Sequence, residues 1–198
     1  MAVGTIALGR RSVLHRPSIV SADPASVRLG QALAARVSDV TRLTAAAAVA
    51  AGLMEMTSPR FAKQIRDVHA LTSRAIARFL ITGQGTTENE RNFISRVGIL
   101  AARYGLSLAI LSRSYVEWRD ANLRVVNEEI NRLAIGHTVS NLARKIIRSS
   151  ADTGLRRMAR AYEYQLHLAA EPEHSTELCV RRVELVRHCD DHRDARQD

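Results

Sequence analysis

The feature that most constrains this chain is the absence of proline between Arg60 and Glu171. Proline removes a backbone donor and clashes with the preceding helical turn, so it interrupts helices. Over the same stretch, apolar residues recur every three or four positions, which is typical of helices with one buried face. No segment alternates apolar and polar residues between turn residues, as a half-buried strand would. The sequence therefore predicts an all-α fold.

Start and stop signals divide the first half of the chain into helices. Ser21–Pro24 and 58–59 (Ser-Pro) each place a capping residue before a proline suited to a first helical turn. The alanine-rich stretch 45–51 has a high helix propensity. It either continues the first helix or forms a second, separate helical segment. Gly83 predicts the end of the helix that begins at Pro59. The pattern Thr87–Glu90 then matches a capping box and predicts a new helix.

The second half carries the longest periodic runs. One helix is predicted to end at Gly105, and the next runs from Ser107 to near Gly136. A last run begins around Thr138, with Gly154 as a candidate joint within it. We therefore predict a bundle of five to six helices, for which a globin-like arrangement is one version.

Composition separates the bundle from the ends of the chain. Residues 1–20 lack sustained periodicity and 169–198 are charged and rich in histidine, so we expect a mobile arm and a disordered tail around a bundle at 21–168. The two cysteines, Cys179 and Cys189, both lie in that tail and do not make a disulfide framework. A chain otherwise free of cysteine is typical of a protein from a reducing cytoplasm. The apolar segment Leu43–Met54 is shorter than the roughly 20 residues of a membrane span. We expect a cytoplasmic protein with no membrane segment and no secretory signal.

Strong catalytic signatures are missing from the sequence. There is no HExxH, CxxC, Walker A, GxSxG or GxGxxG pattern. The tail segment 188–192 packs metal-binding residue types together, but an unstructured polar tail is the simpler interpretation. Glu128 and Glu129 are neighbours on a helix and point about 100° apart, which disfavours a catalytic carboxylate pair. We predict that the protein is not an enzyme, that it binds no metal, and that it needs no cofactor.

A haem-binding function is kept as an alternative because of His69. This histidine lies within a strongly periodic helix, one position from the apolar stripe at Val68. An inward-facing imidazole in a helical fold can ligate haem. A half-exposed surface histidine explains the same pattern.

A DNA-binding function is a second alternative, motivated by charge. The chain has 29 basic and 20 acidic residues, a formal net charge of +9. The basic residues are scattered along the chain; 11 of them lie on two helices, at 60–78 and 144–160, where they are spaced as on any solvated helix face. Nucleic-acid binding would also need a recognisable module, and the turn at Gly105 gives no specific support for one.

The most distinctive local motif is Tyr115-Val-Glu-Trp118-Arg119-Asp120, which holds the only tryptophan. Tyr115 lies three residues before Trp118, so both aromatic rings share a helix face. Such a pair can line a small pocket or a dimer seam, or it can anchor the core. The predicted ligand-binding or partner-binding residues are Tyr104, Tyr115, Trp118, Arg119 and His69.

The segment Arg96–Leu133, with the motifs 101–107 (AARYGLS), 113–115 (RSY), 118–120 (WRD) and 127–129 (NEE), resembles the helical N-terminal sensory region of actinobacterial signalling proteins. In that family the region precedes a GGDEF-type diguanylate cyclase or another output domain. A more distant likeness is to the globin-like domains of stressosome and PucR-type regulators. The resemblance implies signal reception by a helical homodimer, but this sequence contains no output-domain signature.

We therefore predict a non-enzymatic sensory or regulatory domain that acts by binding a ligand or a signalling protein partner. The homodimer would form through the last helices. The alternatives are a DNA-binding regulator and a globin-like binder of haem or another small molecule.

Overall fold

The computed structural model describes residues 23–53 and 58–170. Six helices fill this part of the chain: α1 (Pro24–Ala35), α2 (Val37–Ala50), α3 (Pro59–Thr82), α4 (Glu88–Arg103), α5 (Leu108–Arg132) and α6 (His137–Ala170). No strand occurs among the described residues. The all-α prediction and the predicted helix number are confirmed. The predicted N-terminal arm lies outside the described residues, as does almost all of the predicted tail.

The predicted helix starts rest on side-chain caps. Asp23 accepts a hydrogen bond from the Ala25 amide at 2.8 Å, ahead of Pro24 in the first turn of α1. Ser58 caps α3 in the same way, and Gly83 ends that helix with a left-handed φ of 72°. Thr87 and Glu90 form both hydrogen bonds of the capping box at the start of α4. These local signals could be recognised from sequence because each acts within a few residues.

Two boundaries differ from the predicted ones. The first helical region breaks at Arg36, before the alanine-rich stretch, where the backbone leaves the helical range with φ −105° and ψ 14°. The Arg36 side chain pairs there with carboxylates on α2 and α5. Gly154 is not a joint, since α6 continues through it for 34 residues. At 1.5 Å per residue this helix is about 50 Å long, and it packs against α3, α4 and α5.

The core is aliphatic and lies between helices that pack in pairs. Helix α4 packs along α6, α1 packs on α3, and α5 lies between α2 and α6. Within residues 23–53 and 58–170, the fully buried aromatic side chains are Phe61, His69, Tyr115 and Trp118. The remaining fully buried residues are aliphatic or small, including Leu29, Val68, Leu80, Val97, Ala101, Leu111, Val125, Ala143 and Ile147. None of the described helices combines the length and the apolar character that crossing a bilayer requires.

Small residues bring α4 and α6 into backbone contact. A Cβ atom on Gly98 of α4 would overlap the carbonyl oxygen of Met158 on α6. Gly154, one turn earlier on α6, packs against the ring of Tyr115, with 2.8 Å from a notional Cβ to Tyr115 Cε1. The absence of a side chain at Gly154 therefore lets the Tyr115 ring pack directly against the backbone of α6.

Candidate functional site

Three of the five predicted site residues meet in one aromatic cluster between α3 and α5. The ring centroids of His69 and Tyr115 are 5.3 Å apart, edge to face, and those of His69 and Trp118 are 5.9 Å apart and stacked. Tyr115 and Trp118 complete the triangle at 5.8 Å. All three residues are at most 2% exposed. The spacing of Tyr115 and Trp118 on one helix face, read from sequence, is thus confirmed, and the face points into the core.

Hydrogen bonds hold the indole of Trp118 in place. Its Nε1 donates to the carbonyl oxygen of His69 at 3.1 Å and to Oγ of Ser73 at 3.0 Å. Asn122, one turn further along α5, donates to the carbonyl oxygen of Trp118 at 2.9 Å. A buried indole N–H without such partners would destabilise the fold. These hydrogen bonds and ring contacts therefore fix how α3 packs against α5.

Burial keeps the imidazole of His69 neutral. Removal from water lowers its pKa to about 3, since the charged form loses most of its solvation. Its Nε2 is buried and has no hydrogen-bond partner among the described residues. A buried polar atom without a partner costs about 1–3 kcal/mol, so such atoms are rare unless they serve a purpose.

Tyr115 carries a second buried polar atom without a partner. Its hydroxyl makes no hydrogen bond of acceptable geometry. Burial raises the pKa of Tyr115 above its usual range, and the nearby hydroxyl of Thr72 offsets only part of that rise. The Thr72 hydroxyl itself donates to the carbonyl oxygen of Val68 at 2.8 Å. Tyr115 is therefore a neutral phenol at any physiological pH.

A small cavity adjoins the cluster, between α2, α3 and α5. Its volume is about 40 Å³, and His69 forms part of its wall. The other lining residues are mostly small or aliphatic: Thr41, Thr44, Ala45, Ala48, Leu53, Ala62, Ile65, Arg66, Ile110 and Ser114. One water needs roughly 10–15 Å³ by this measure, so the cavity holds only a few non-hydrogen atoms. A porphyrin is far larger, and the residues around His69 do not fit haem.

The other two predicted site residues lie apart from this cluster. Arg119 is half-buried on α5 and pairs with the neighbouring carboxylate of Asp120 at 2.9 Å. Tyr104 follows α4, is 50% exposed, and contacts the ring of Phe61 edge to face with a centroid distance of 6.0 Å. The structure thus groups Tyr115, Trp118 and His69 and separates Arg119 and Tyr104 from them.

A second concave site, between α4 and α6, was not singled out from the sequence. We call it the arginine groove. It has a volume of about 390 Å³, and its lining residues are Ser95, Thr153, Arg156, Arg157, Arg160, Ala161 and Tyr164. The six α6 residues follow the i, i+3, i+4, i+7 spacing of a single helix face. That spacing was visible in the sequence, but only packing against α4 turns this face into a groove.

The groove is strongly basic. Within residues 23–53 and 58–170, none of its three arginines has a carboxylate within 4.0 Å. Arg156 and Arg160 are exposed and Arg157 is half-buried. The Tyr164 ring is 64% exposed at one end of the groove. Several guanidinium groups beside hydroxyls and an aromatic ring form a surface suited to an anion with a planar group.

The adjacent glutamates on α5, which the sequence did not favour as a catalytic carboxylate pair, share an arginine partner. Nη1 of Arg36 bridges them, at 2.8 Å from Glu128 and 3.1 Å from Glu129. Hydrogen bonds from Arg132 and then Arg36 lower the pKa of Glu129, although burial acts in the opposite direction. The pair is therefore an ion-pair network that ties the α1–α2 junction to α5.

No group of three or more metal-binding side chains comes together among the described residues. The histidine-rich and cysteine-containing segment at 188–192 lies outside them. No protein-family model, curated protein or solved structure matches this chain. The resemblance to actinobacterial sensory regions therefore stays a prediction.

Proposed function

We propose that the protein is a non-enzymatic regulatory domain that binds a phosphate-bearing small molecule in the arginine groove. The observation that carries this proposal is the convergence of Arg156, Arg157 and Arg160 on one groove, where none of them forms an ion pair with a described residue. Guanidinium groups bind phosphate oxygens through paired, charge-assisted hydrogen bonds. A cluster of like charges repels itself, so an anionic ligand would relieve that repulsion.

The size of the groove favours a small molecule. Its volume of about 390 Å³ lies within the range of about 300–1,000 Å³ typical of small-molecule sites. Thr153 and Tyr164 mark its ends along α6, and at 1.5 Å per residue they are about 16 Å apart. This length accommodates a phosphate group and a planar ring side by side.

The groove also contains a natural partner for a planar ring. Tyr164 presents an exposed ring beside the arginines, and aromatic rings stack on nucleobases with little preference among them. The hydroxyls of Ser95 and Thr153 add acceptors and donors for ribose or phosphate oxygens. A nucleoside phosphate combines the two groups that this groove would recognise.

Calorimetric titration of the full chain with ADP and with inorganic phosphate tests the proposal. We expect saturable binding of ADP at micromolar to millimolar concentration and weaker binding of phosphate alone. Arg157→Gln should weaken ADP binding about tenfold, because one charge-assisted contact is lost. Arg148→Gln removes the same charge from an exposed position of α6 outside the groove and serves as the matched control. Equal effects of the two variants, or no saturable binding, would contradict the proposal.

Nucleic acid is the second candidate ligand, and the net charge of +9 favours it. Binding to a phosphate backbone releases counterions, so its affinity should fall steeply between 50 and 200 mM salt. Duplex DNA added to the ADP titration separates the two functions. Tight, salt-sensitive duplex binding that ADP does not displace would assign the groove to nucleic acid.

The predicted homodimer would use the end of α6. Leu166 is 47% exposed there, on a different face of the helix from the groove residue Tyr164, and an exposed apolar side chain of this kind favours pairing with another helix. Size determination by light scattering with and without ADP tests whether a dimer exists and whether groove occupancy changes it. A monomer under both conditions would remove the dimer from the proposal.

A further inference from the structure

A second binding site is suggested by the cavity at His69, which is independent of the arginine groove. We infer that this cavity binds a small, mainly apolar molecule with one hydrogen-bonding group, and that Nε2 of His69 pairs with that group. The chemical class is that of short aliphatic alcohols and similarly small carbonyl compounds.

The wall chemistry excludes a strongly polar ligand. Six of the lining residues are aliphatic, from Ala45 and Ala48 on α2 to Ile110 on α5. The three hydroxyl groups in the wall already donate to backbone carbonyl oxygens: Thr41 to Val37 at 3.0 Å, Thr44 to Val40 at 2.8 Å and Ser114 to Leu111 at 2.9 Å. The donors of these hydroxyls are thus committed, and a ligand bound here faces mostly methyl and methylene groups.

His69 supplies the buried polar contact, whereas the other charged or titratable residue of the wall, Arg66, is half-buried. The residue is 2% exposed and lines the cavity, and its Nε2 has no partner within the described part of the chain. A neutral imidazole has one N–H donor and one acceptor nitrogen, so it can pair with a hydroxyl in either tautomer. A ligand that supplies this missing hydrogen bond regains free energy that the unliganded protein lacks.

The cavity volume sets the ligand size. About 40 Å³ lies well below the roughly 150 Å³ of a cavity that holds benzene, and above the volume needed for one water. Ligands of a few non-hydrogen atoms rarely bind more tightly than micromolar, so we expect affinities from micromolar to millimolar.

The protein contains its own reporter for this site. Trp118 is the only tryptophan, and its indole stacks on the His69 imidazole at 5.9 Å between centroids. A ligand that contacts His69 therefore changes the surroundings of the indole. Nonspecific association with the protein surface leaves the buried indole unaffected.

The test is a fluorescence titration of the full chain with the alcohols from methanol to 1-hexanol. We expect a saturable change in Trp118 emission, with an affinity that rises with chain length only until the cavity is full. An affinity that rises steadily through 1-hexanol, or a change that never saturates, overturns the inference.

Two variants locate the binding. Ala45→Leu places a larger side chain in the wall and should abolish the saturable change, whereas Ala46→Leu, an exposed neighbour on α2 outside the cavity, should keep it. His69→Leu removes the hydrogen bond and should weaken 1-propanol binding at least fivefold. If Ala45→Leu does not fold, the 1-propanol affinity of His69→Leu, compared with that of the unmodified protein, tests the inference. Unchanged affinity in His69→Leu overturns the inference.

Discussion

The α3–α5 side of the bundle and the α4–α6 side use their polar residues in opposite ways. Around Trp118, polar atoms are buried, neutral and mostly satisfied by one another, so they specify how two helices meet. Along the arginine groove, the charged side chains are exposed or half-buried and form no ion pair with a described residue. The first arrangement stabilises the fold, whereas the second leaves free energy available for a ligand.

Tyr115 connects the two sides. Its ring touches His69 on one side and packs on Gly154 of α6 on the other. Thr153, the first residue of the groove, is adjacent to that glycine. Although Tyr115 joins the two regions, the polar groups of one are buried and most of those of the other are exposed, so substitutions away from this ring should separate stability from binding.

The largest effect is expected for Trp118→Ala. Removing a fully buried indole with two hydrogen bonds should lower the free energy of unfolding by about 3–5 kcal/mol. Urea denaturation followed by circular dichroism measures the change. Val116→Ala, a partly exposed position on the same helix, should change stability by no more than about 0.5 kcal/mol. A loss below about 1 kcal/mol for Trp118→Ala would show that the cluster does not anchor α5.

Gly98→Ala probes the contact between α4 and α6. The added methyl group meets the backbone of Met158, which cannot rotate away, so the helices must separate. We expect a loss of about 1–3 kcal/mol. The same substitution at Gly85, where nothing lies within 4 Å of a Cβ, is the control for thermal denaturation. Because the groove lies between these helices, Gly98→Ala should also weaken ADP binding.

The pH dependence of stability reports on His69. Its pKa is about 3 in the folded protein and 6.5 when exposed, so the unfolded chain binds the extra proton as pH falls. Stability is therefore full above about pH 6.5 and is lost progressively towards pH 3. Relative to pH 8, this one residue should remove about 2 kcal/mol at pH 5.

Comparison with His69→Phe isolates that contribution. The carboxyl groups with lowered pKa, Asp39, Glu90 and Glu129, titrate at lower pH and contribute equally in both proteins. Urea denaturation at pH 8 and pH 5 should show a smaller pH-dependent loss for His69→Phe. Parallel losses would mean that His69 is not buried in the folded protein.

The smallest effect on stability is expected in the groove. Gln at Arg156 or Arg160 removes an exposed charge without a carboxylate neighbour in the described residues, so unfolding should change by no more than about 0.5 kcal/mol. ADP binding should nevertheless weaken in both variants. A large loss of stability with unchanged ADP binding would show that the groove stabilises the fold and does not bind the ligand, contrary to the contrast drawn with the α3–α5 side.

Local chemistry made much of the fold predictable. The caps at Asp23, Ser58 and Thr87 and the left-handed Gly83 each act over a few residues, so their signals are present in the sequence. The helix face shared by Tyr115 and Trp118 could also be read from spacing. The break at Arg36 could not, because its carboxylate partners on α5 are about 90 residues away.

An all-α chain, most of its helix boundaries and one aromatic face follow from the order of the residues alone, since helical period and capping are local properties. The packing of the helices sets what those faces do. It buried Trp118 and His69 by packing α5 against α3, and it made a groove of Arg156, Arg157 and Arg160 by packing α4 along α6. Burial and concavity depend on the neighbouring helix, and no residue's own sequence neighbours encode which helix that is.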